Sequence, residues 1–261
     1  LADLPGQVFY QQPGDRPDVV RLRPADGRTD RVLIAAPSAV GISPDGGRIA
    51  YVADGTLLIG STDDGGFAPV ARGIATAEQA PAWSPDGSKL LVHADAPAVV
   101  EVGSGAITPL PSGLGAGRHF RWSGDGDTLV YATASCGLEV ARRGETGAGV
   151  AVPLAQPDGV AACRAGSVDT TGRRVAVPLS SPGSSDKPAD AVVDTETGDL
   201  VALPVDGEVL GAVFDAAGHL LVRSLRAGVT RLSLIAPDNT LVVQATEPAS
   251  VRELDLIAYT G

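Results

Sequence analysis

The sequence predicts an all-β protein, a six-bladed β-propeller built from four-stranded blades. Three observations support this fold. Glycine and proline number 33 and 20 among 261 residues, which indicates many turns and little continuous helix. A turn motif recurs about every forty residues, and four short β-type runs follow one another within each repeat. Units of four strands at this period are typical of propeller blades.

The repeat is marked by one glycine in the same turn of every unit. The turns occur in ISPDGGRIAYV, WSPDGSKLLV, WSGDGDTLVYA, VDTTGRRVAV and FDAAGHLLVR, and the series extends to PGQVFYQQ and IAYTG at the two ends. The glycines are Gly6, Gly46, Gly87, Gly126, Gly172, Gly218 and Gly261, which lie 40, 41, 39, 46, 46 and 43 residues apart. Six intervals therefore fill the chain, and we expect a single propeller domain over residues 1–261.

The second and fifth intervals show the strand pattern. In the second, the β-type runs are RIAYVA from Arg48, TLLIGS from Thr56, FAPVAR from Phe67 and APAWS from Ala80. In the fifth, AVVDTETGDLVAL is predicted to form a hairpin that turns at residues 196–199. No helical stripe with a period of 3.6 residues competes with this interpretation.

The chain begins on the second strand of a blade and ends on a first strand. We expect the C-terminal strand, VRELDLIAY at residues 251–259, to complete the blade that QVFYQQ, DVVRLRP and RVLIAA begin. Pairing of the two ends would close the ring and leave no sheet edge in solvent.

The S-P-D-G turn followed by an I-A-Y-like strand resembles the PD40 (WD40-like), or TolB-like, repeat of six-bladed propellers. The motif is explicit at Ser43 and Ser84, degraded to SGDG at Ser123 and reduced to TTG and AAG in the last two units. This resemblance covers the whole chain. It implies a binding scaffold, a periplasmic protein or a substrate gate of a peptidase, and, by likeness to TolB, a peptide of an envelope protein docked at the channel.

The most prominent residues of the repeat have structural interpretations. Asp45, Asp86 and Asp125 are expected to accept backbone N–H groups within the turn, so a catalytic or metal-binding role is not assigned to them. Trp83 and Trp122 align with apolar residues in the other units, which is typical of a position that packs between blades.

The two cysteines are predicted to lie on the rim opposite the repeat turns. Cys136 falls in a loop between second and third strands, and Cys163 falls between adjacent blades. A disulfide between them would indicate an oxidising, extracytoplasmic compartment, and two free thiols are the alternative.

The same rim surrounds the channel mouth, where propellers usually place ligands. Its loops supply a set of charged and polar residues that we take as candidates for binding a protein segment or a small ligand: Glu78, Gln79, Arg118, His119, Arg164, Glu208, Arg252 and Glu253. The longest loop, residues 180–191, could lie over this mouth.

Composition and missing motifs exclude several functions. A formal charge of −11 argues against nucleic acid as a partner, and no apolar run approaches the roughly 18 to 20 residues of a membrane span. The chain lacks a G-x-S-x-G nucleophile motif and a full EF-hand loop, and the repeat places its three histidines on different faces. No metal or cofactor is therefore predicted.

The resulting prediction is a non-catalytic, extracytoplasmic binding propeller, bacterial in origin, with no indicated oligomeric state. Two alternatives stay open. One is a propeller enzyme of the lactonase or sugar-dehydrogenase type. The other is an accessory or gating domain of a larger envelope protein or peptidase.

Overall fold

The computed structural model describes residues 1–14, 16–75, 79–154, 161–179 and 188–261. In these ranges, 23 β-strands form six antiparallel sheets that are the blades of a propeller ring. The two helices in the described ranges are three-residue 3-10 turns, Ser112–Leu114 and Ala249–Val251, so none there is long and apolar enough to cross a membrane. The predicted all-β, six-bladed fold is confirmed.

The first three blades contain strands β1 to β11 together with the C-terminal strand β23. From the channel outward, blade 1 contains β23 (Asp255–Thr260), β1 (Gln7–Gln11), β2 (Val19–Arg23) and β3 (Arg28–Leu33). Blade 2 contains β4 (Gly41–Ile42), β5 (Arg48–Ala53), β6 (Thr56–Ser61) and β7 (Phe67–Arg72). Blade 3 contains β8 (Ala82–Trp83), β9 (Lys89–His93), β10 (Pro97–Glu101) and β11 (Ile107–Pro109).

The remaining strands form blades 4 to 6. Blade 4 contains β12 (Arg118–Trp122), β13 (Thr128–Ala132), β14 (Leu138–Arg142) and β15 (Val150–Ala151). Blade 5 contains β16 (Ser167–Val168), β17 (Arg174–Val177) and β18 (Ala191–Asp194), and a single bridge from Val193 to Leu200 takes the place of a fourth strand. Blade 6 contains β19 (Glu208–Phe214), β20 (Leu220–Arg226), β21 (Val229–Ile235) and β22 (Leu241–Thr246).

The two ends of the chain close the ring as predicted. Strand β23 pairs antiparallel with β1, and Val8 lies opposite Tyr259. The strand is shorter than predicted, however, because residues 251–254 do not pair. The side chain of Val251 is buried in the adjacent core, and the carbonyl oxygens of Val251, Arg252 and Leu254 instead accept hydrogen bonds from Arg223.

The hydrophobic core consists of clusters that lie between adjacent blades. Six such clusters occur in the described ranges, one at each interface of the ring. Trp83 belongs to the cluster between blades 2 and 3, where its Nε1 donates to the Gly41 carbonyl at 3.1 Å. This placement agrees with the packing role predicted for it.

The repeat turns use their carboxylates to bind backbone N–H groups. Asp86 Oδ1 accepts hydrogen bonds from Ser84 Oγ at 2.6 Å and from the N–H of Ser88 at 3.0 Å. Gly87, which lies between Asp86 and Ser88 in the sequence, has a φ of 65°, a conformation that favours glycine. Several hydrogen bonds lower the pKa of Asp86 to about 2, and the bond from the Ser84 hydroxyl has the largest effect. This aspartate is therefore ionised at neutral pH.

In the last two units the carboxylate comes from a different position. The TTG and AAG turns lack the aspartate that precedes the glycine in the other units. Asp169 and Asp215 instead occupy the positions of the serines in those units. Asp169 accepts from the N–H of Arg173 at 3.0 Å, and Asp215 accepts from the N–H of His219 at 2.8 Å. In both turns, one carboxylate therefore binds the N–H of the residue after the repeat glycine, which the aspartate of the Ser–Asp pair binds in the other units.

Candidate binding site at the central channel

The inner strands of all six blades surround a central cavity of about 160 Å³. Its wall includes one inner-strand residue from each blade: Ile42, Trp83, Trp122, Val168, Phe214 and Ile257. The cavity opens past the repeat turns on one face. The predicted binding residues lie toward the other face, at the beginning of the inner strands.

A β-bulge at the beginning of β12 creates the most unusual part of this wall. Arg118 pairs with Ala132, and Arg121 pairs with Val130. Two residues of β12, His119 and Phe120, therefore lie opposite a single residue of β13. His119 has φ of +53°, which few side chains adopt, although histidine does so more readily than most. Bulges re-aim side chains near binding sites.

Four basic side chains gather around this bulge: Arg118, His119, Arg121 and Arg164. Burial is the main cause that lowers the pKa of His119 to about 4, and the positive charges of Arg121, Arg164 and Arg118 add to it. His119 is therefore neutral at physiological pH. The site concentrates positive charge in a protein whose net charge is −11.

Arg121 is half-buried and lies on the wall of the central cavity. Its Nε donates to the Gly166 carbonyl at 2.7 Å, and its Nη1 donates to the Phe120 carbonyl at 3.0 Å. No carboxylate in the described ranges forms an ion pair with it. Burial, reinforced by the charge of Arg164, lowers the pKa of Arg121 to about 10, so the guanidinium remains charged at neutral pH.

Gln79 is the predicted residue that contacts this group directly. It lies in the loop before blade 3, and its Oε1 accepts a hydrogen bond from the His119 N–H at 2.8 Å. This bond anchors the bulged backbone to the neighbouring blade. The Nδ1 of His119 is buried and forms no hydrogen bond with any residue that the structure describes.

The other predicted residues are more dispersed. Glu208, Arg252 and Glu253 are exposed, and among the described residues none of their side chains forms a hydrogen bond or ion pair with the basic group. The structure thus brings together Gln79, Arg118, His119 and Arg164, and leaves the other three on the rim. Glu78 and residues 180–187 of the long loop lie outside the described residues.

Two inner-strand residues close to the basic group were not predicted, Arg121 on the cavity wall and Asp255 at the beginning of β23. Burial raises the pKa of Asp255, while Arg223 and Arg164 oppose that shift. The signal for Arg121 was available, since it is a charged residue directly before the packing position Trp122 on a strand that lines the channel. The bulge that separates it from Arg118 had no sequence signature.

The disulfide between Cys136 and Cys163 is present, and the alternative of two free thiols is not supported. Cys136 lies in the loop between β13 and β14, and Cys163 precedes β16 of the next blade. The bond therefore joins blades 4 and 5 one residue before Arg164. It restrains the loop that brings Arg164 to the basic group.

Within the described ranges, no three His, Cys, Asp or Glu side chains gather as ligands of a metal ion. His93 Nδ1 lies 2.9 Å from the carbonyl of Ala94, and His219 Nδ1 lies 3.2 Å from Asp215 Oδ2 in a repeat turn. The three histidines are thus on separate parts of the ring.

Solved structures with the same architecture include TolB from Acinetobacter baumannii, with a TM-score of 0.62 at 16% identity, over 97% of this chain and 66% of that one. This chain therefore spans just under two thirds of the length of the Acinetobacter protein. A putative TolB from Agrobacterium tumefaciens gives a TM-score of 0.61 at 14% identity, over 93% of this chain and 88% of that one.

A chain from a nidogen/laminin complex gives a TM-score of 0.57 at 9% identity, over 98% of both chains. No protein-family model and no curated protein sequence matches this chain. At these identities the likeness establishes the fold, a TolB-like six-bladed β-propeller, as the repeat predicted.

Proposed function

We propose that this protein is a non-catalytic, extracytoplasmic binding propeller whose channel mouth receives an acidic segment of a partner protein. One observation carries the proposal. The guanidinium of Arg121 lies on the channel wall beside three further basic residues, and among the described residues it is hydrogen-bonded to carbonyls alone.

A carboxylate is the group that best complements such a site. A guanidinium binds a carboxylate through two parallel, charge-assisted hydrogen bonds, which are stronger than neutral ones. Carbonyl oxygens hold Arg121 in place without neutralising it. A bound carboxylate would supply the missing negative charge and would favour protonation of His119, so we expect affinity to increase as the pH falls toward 5.

The disulfide supports the proposed compartment. Disulfides persist in oxidising environments and are rare in the cytosol, which favours a location outside the cytoplasm. The chain of similar fold in the nidogen/laminin complex belongs to a protein assembly, which supports a binding role for this propeller. Among the described residues, no observation specifically favours either of the two alternatives from the sequence.

The test uses a displayed library of peptides with random sequences. Peptides that bind are selected separately with the wild-type protein and with the Arg121→Met variant. Arg28→Gln, an exposed arginine on the outer strand β3, is the matched control. We expect wild type and the control to select peptides rich in Asp and Glu, with affinities that fall as salt increases. Arg121→Met should weaken their binding at least tenfold.

Two outcomes would contradict the proposal. One is a selection that enriches no acidic peptides over the Arg121→Met protein. The other is equal loss of binding in Arg28→Gln, because a general loss of positive charge would then explain the result.

A further inference from the structure

The ring contains a guanidinium-on-aromatic contact that recurs between adjacent blades. The residue that begins the second strand of one blade reaches across to the inner-strand aromatic of the next. The Arg48 guanidinium carbon lies 4.6 Å from the centre of the Trp83 ring, and that of Arg174 lies 5.4 Å from the centre of the Phe214 ring. Arg48 Nη2 also donates to the Gly87 carbonyl at 2.8 Å. Such cation–π contacts hold the guanidinium over the ring face.

The third inner-strand aromatic, Trp122, lacks this partner. The equivalent residue in blade 3 is Lys89, which pairs across the sheet with Glu101, its Nζ lying 3.1 Å from Oε1. Arg48 has Ser61 in the corresponding cross-strand position, but Arg174 stacks on Phe214 although Asp194 lies opposite it. A cross-strand carboxylate therefore does not prevent the contact, and the interface at Trp122 differs in having lysine in place of arginine.

A cavity of about 360 Å³ lies at this interface between blades 3 and 4. That volume is in the range of roughly 300–1,000 Å³ typical of small-molecule pockets. Its wall contains Trp122 and Gly126, the equivalents of both partners that Arg48 uses at the preceding interface. Leu110, Leu114 and Leu129 supply the apolar part of the wall.

One polar group of the cavity wall has an unused capacity to accept a hydrogen bond, which a guanidinium can supply. The carbonyl of Gly126 accepts no hydrogen bond from the described residues, although the equivalent carbonyls of Gly46 and Gly172 accept from Thr62 and Thr195.

The charges of the wall favour a cation. The cavity is lined by four carboxylates and three basic residues: Asp86, Asp125, Asp127, Glu145, Lys89, Arg142 and Arg143. Two of the three basic residues already have carboxylate partners, because Lys89 pairs with Glu101 and Arg143 lies 3.6 Å from Asp127. Asp86 and Asp125 lie on the repeat turns that line the cavity.

We infer that this cavity binds a guanidinium group supplied by a ligand, which takes the place that Arg48 occupies at the preceding interface. The guanidinium would lie against Trp122, donate to the Gly126 carbonyl and face the carboxylates of Asp86 and Asp125. The site is separate from the channel mouth and has the opposite charge preference, so its existence does not depend on the function proposed above.

The experiment follows the two tryptophan indole N–H signals by NMR in ¹⁵N-labelled protein. Trp122→Phe identifies the Trp122 signal, and Phe is tolerated at the equivalent place in blade 6. The probes are N-acetylarginine methylamide, methylguanidine and the neutral isostere N-acetylcitrulline methylamide. We expect both guanidinium probes to shift the Trp122 signal saturably, and the citrulline probe and the Trp83 signal to show no such response.

Comparison of the two guanidinium probes distinguishes the source of the ligand. Equal affinity would indicate a site for free guanidinium compounds, and at least tenfold tighter binding of the arginine derivative would indicate an arginine of a polypeptide.

Two variants of Lys89 provide the decisive control. Lys89→Arg restores the residue type of blade 2 and should fill the cavity from within, so it should weaken probe binding at least tenfold in a fully folded protein. Lys89→Gln removes the charge without filling the cavity and should retain binding. The inference would be overturned by unchanged binding in Lys89→Arg, by an equal response to the citrulline probe, or by the absence of a saturable shift at Trp122.

Discussion

Arg223 and Glu247 form a buried ion pair at the interface between blades 6 and 1, with Arg223 Nε 2.9 Å from Glu247 Oε1. Both side chains are at most 4% exposed. The hydroxyl of Tyr10 on β1 donates to the same carboxylate at 2.9 Å, and Arg223 also donates to three carbonyls just before β23. The pair therefore joins blade 6 to both the N-terminal and the C-terminal strands of blade 1.

Replacement of Glu247 by Gln should lower the free energy of unfolding by about 3–5 kcal/mol, because it leaves the Arg223 charge buried without its counter-ion. Denaturant titration followed by circular dichroism measures the change. The nearby exposed Glu253→Gln is the control and should change stability by less than about 0.5 kcal/mol. A loss below about 1 kcal/mol in Glu247→Gln would show that the pair does not stabilise ring closure.

Replacement of both partners should be less harmful than the two single changes combined. Arg223→Met with Glu247→Leu removes both charges, so no uncompensated charge stays buried. We expect the double variant to lose less stability than the sum of the single variants, although three carbonyls lose their donor. Additive losses in this double-mutant cycle would contradict a direct interaction.

The disulfide should contribute about 2–4 kcal/mol to the free energy of unfolding, because it restrains a loop of 27 residues in the unfolded chain. Cys136→Ser with Cys163→Ser should lose this amount in denaturant titrations. Wild type measured in reductant should match the double variant. Equal stability of oxidised and reduced wild type would show that the bond is absent or without effect.

Asp86→Ala should lower stability by about 0.5–2 kcal/mol, as loss of a comparable side-chain cap does, and should leave binding at the channel mouth unchanged. The pKa of Asp86 is about 2 in the folded protein and about 3.9 in an unfolded chain. Its contribution is therefore complete above about pH 5 and lost as the pH falls toward 2.

The pH dependence provides a second measurement for the same substitution. When the pH falls from 5 to 2, the free energy of unfolding should decrease less in the Asp86→Ala variant than in wild type. Asp95→Ala, an exposed aspartate of the same blade, is the matched control. A loss of acidic-peptide affinity in Asp86→Ala with unchanged melting would overturn its structural role.

His119 should make the protein less stable as the pH falls from about 6.5 to 4. The folded-state pKa of about 4 lies below the ordinary value of about 6.5, so the unfolded chain binds the extra proton in this window. His119→Asn, which tolerates positive φ, should flatten the dependence of the unfolding free energy on pH between 7 and 4.5. An unchanged slope would show that His119 does not titrate in this way.

The repeat pattern predicted most of the fold, and the second repeat interval shows why. All four of its predicted runs coincide with strands. Three are β5 to β7 of blade 2, and the fourth is β8 of blade 3, which is reduced to the two residues Ala82–Trp83. Alternating apolar residues and turn-forming Gly and Asp determine such strands locally. The strand from Val251 was predicted to begin too early, because the buried guanidinium of Arg223, distant in sequence, takes the carbonyls of residues 251–254.

The candidate site was only partly predictable. Loop position in the repeat identified Gln79, His119 and Arg164 as residues of one rim. It also included Glu208 and Glu253, which form no hydrogen bond or ion pair with the others within the described ranges, since loop position does not specify side-chain direction. Arg121 was missed although its position directly before Trp122 on an inner strand is visible in the sequence, and the bulge that separates it from Arg118 has no sequence signature.

The sequence by itself determined the number of blades, the closing strand and the role of the turn aspartates, since these depend on periodic local patterns and short-range hydrogen bonds. Only the tertiary structure decided which charges meet. Arg223 pairs with Glu247, and Arg121 binds carbonyls but no carboxylate of the described residues. Lys89 pairs with Glu101, and a cavity lies beside Trp122. Except for Phe120, which is next to Arg121 in the chain, these partners lie 12 to 45 positions apart in the sequence, and the balance of burial and charge between them depends on packing that local patterns do not encode.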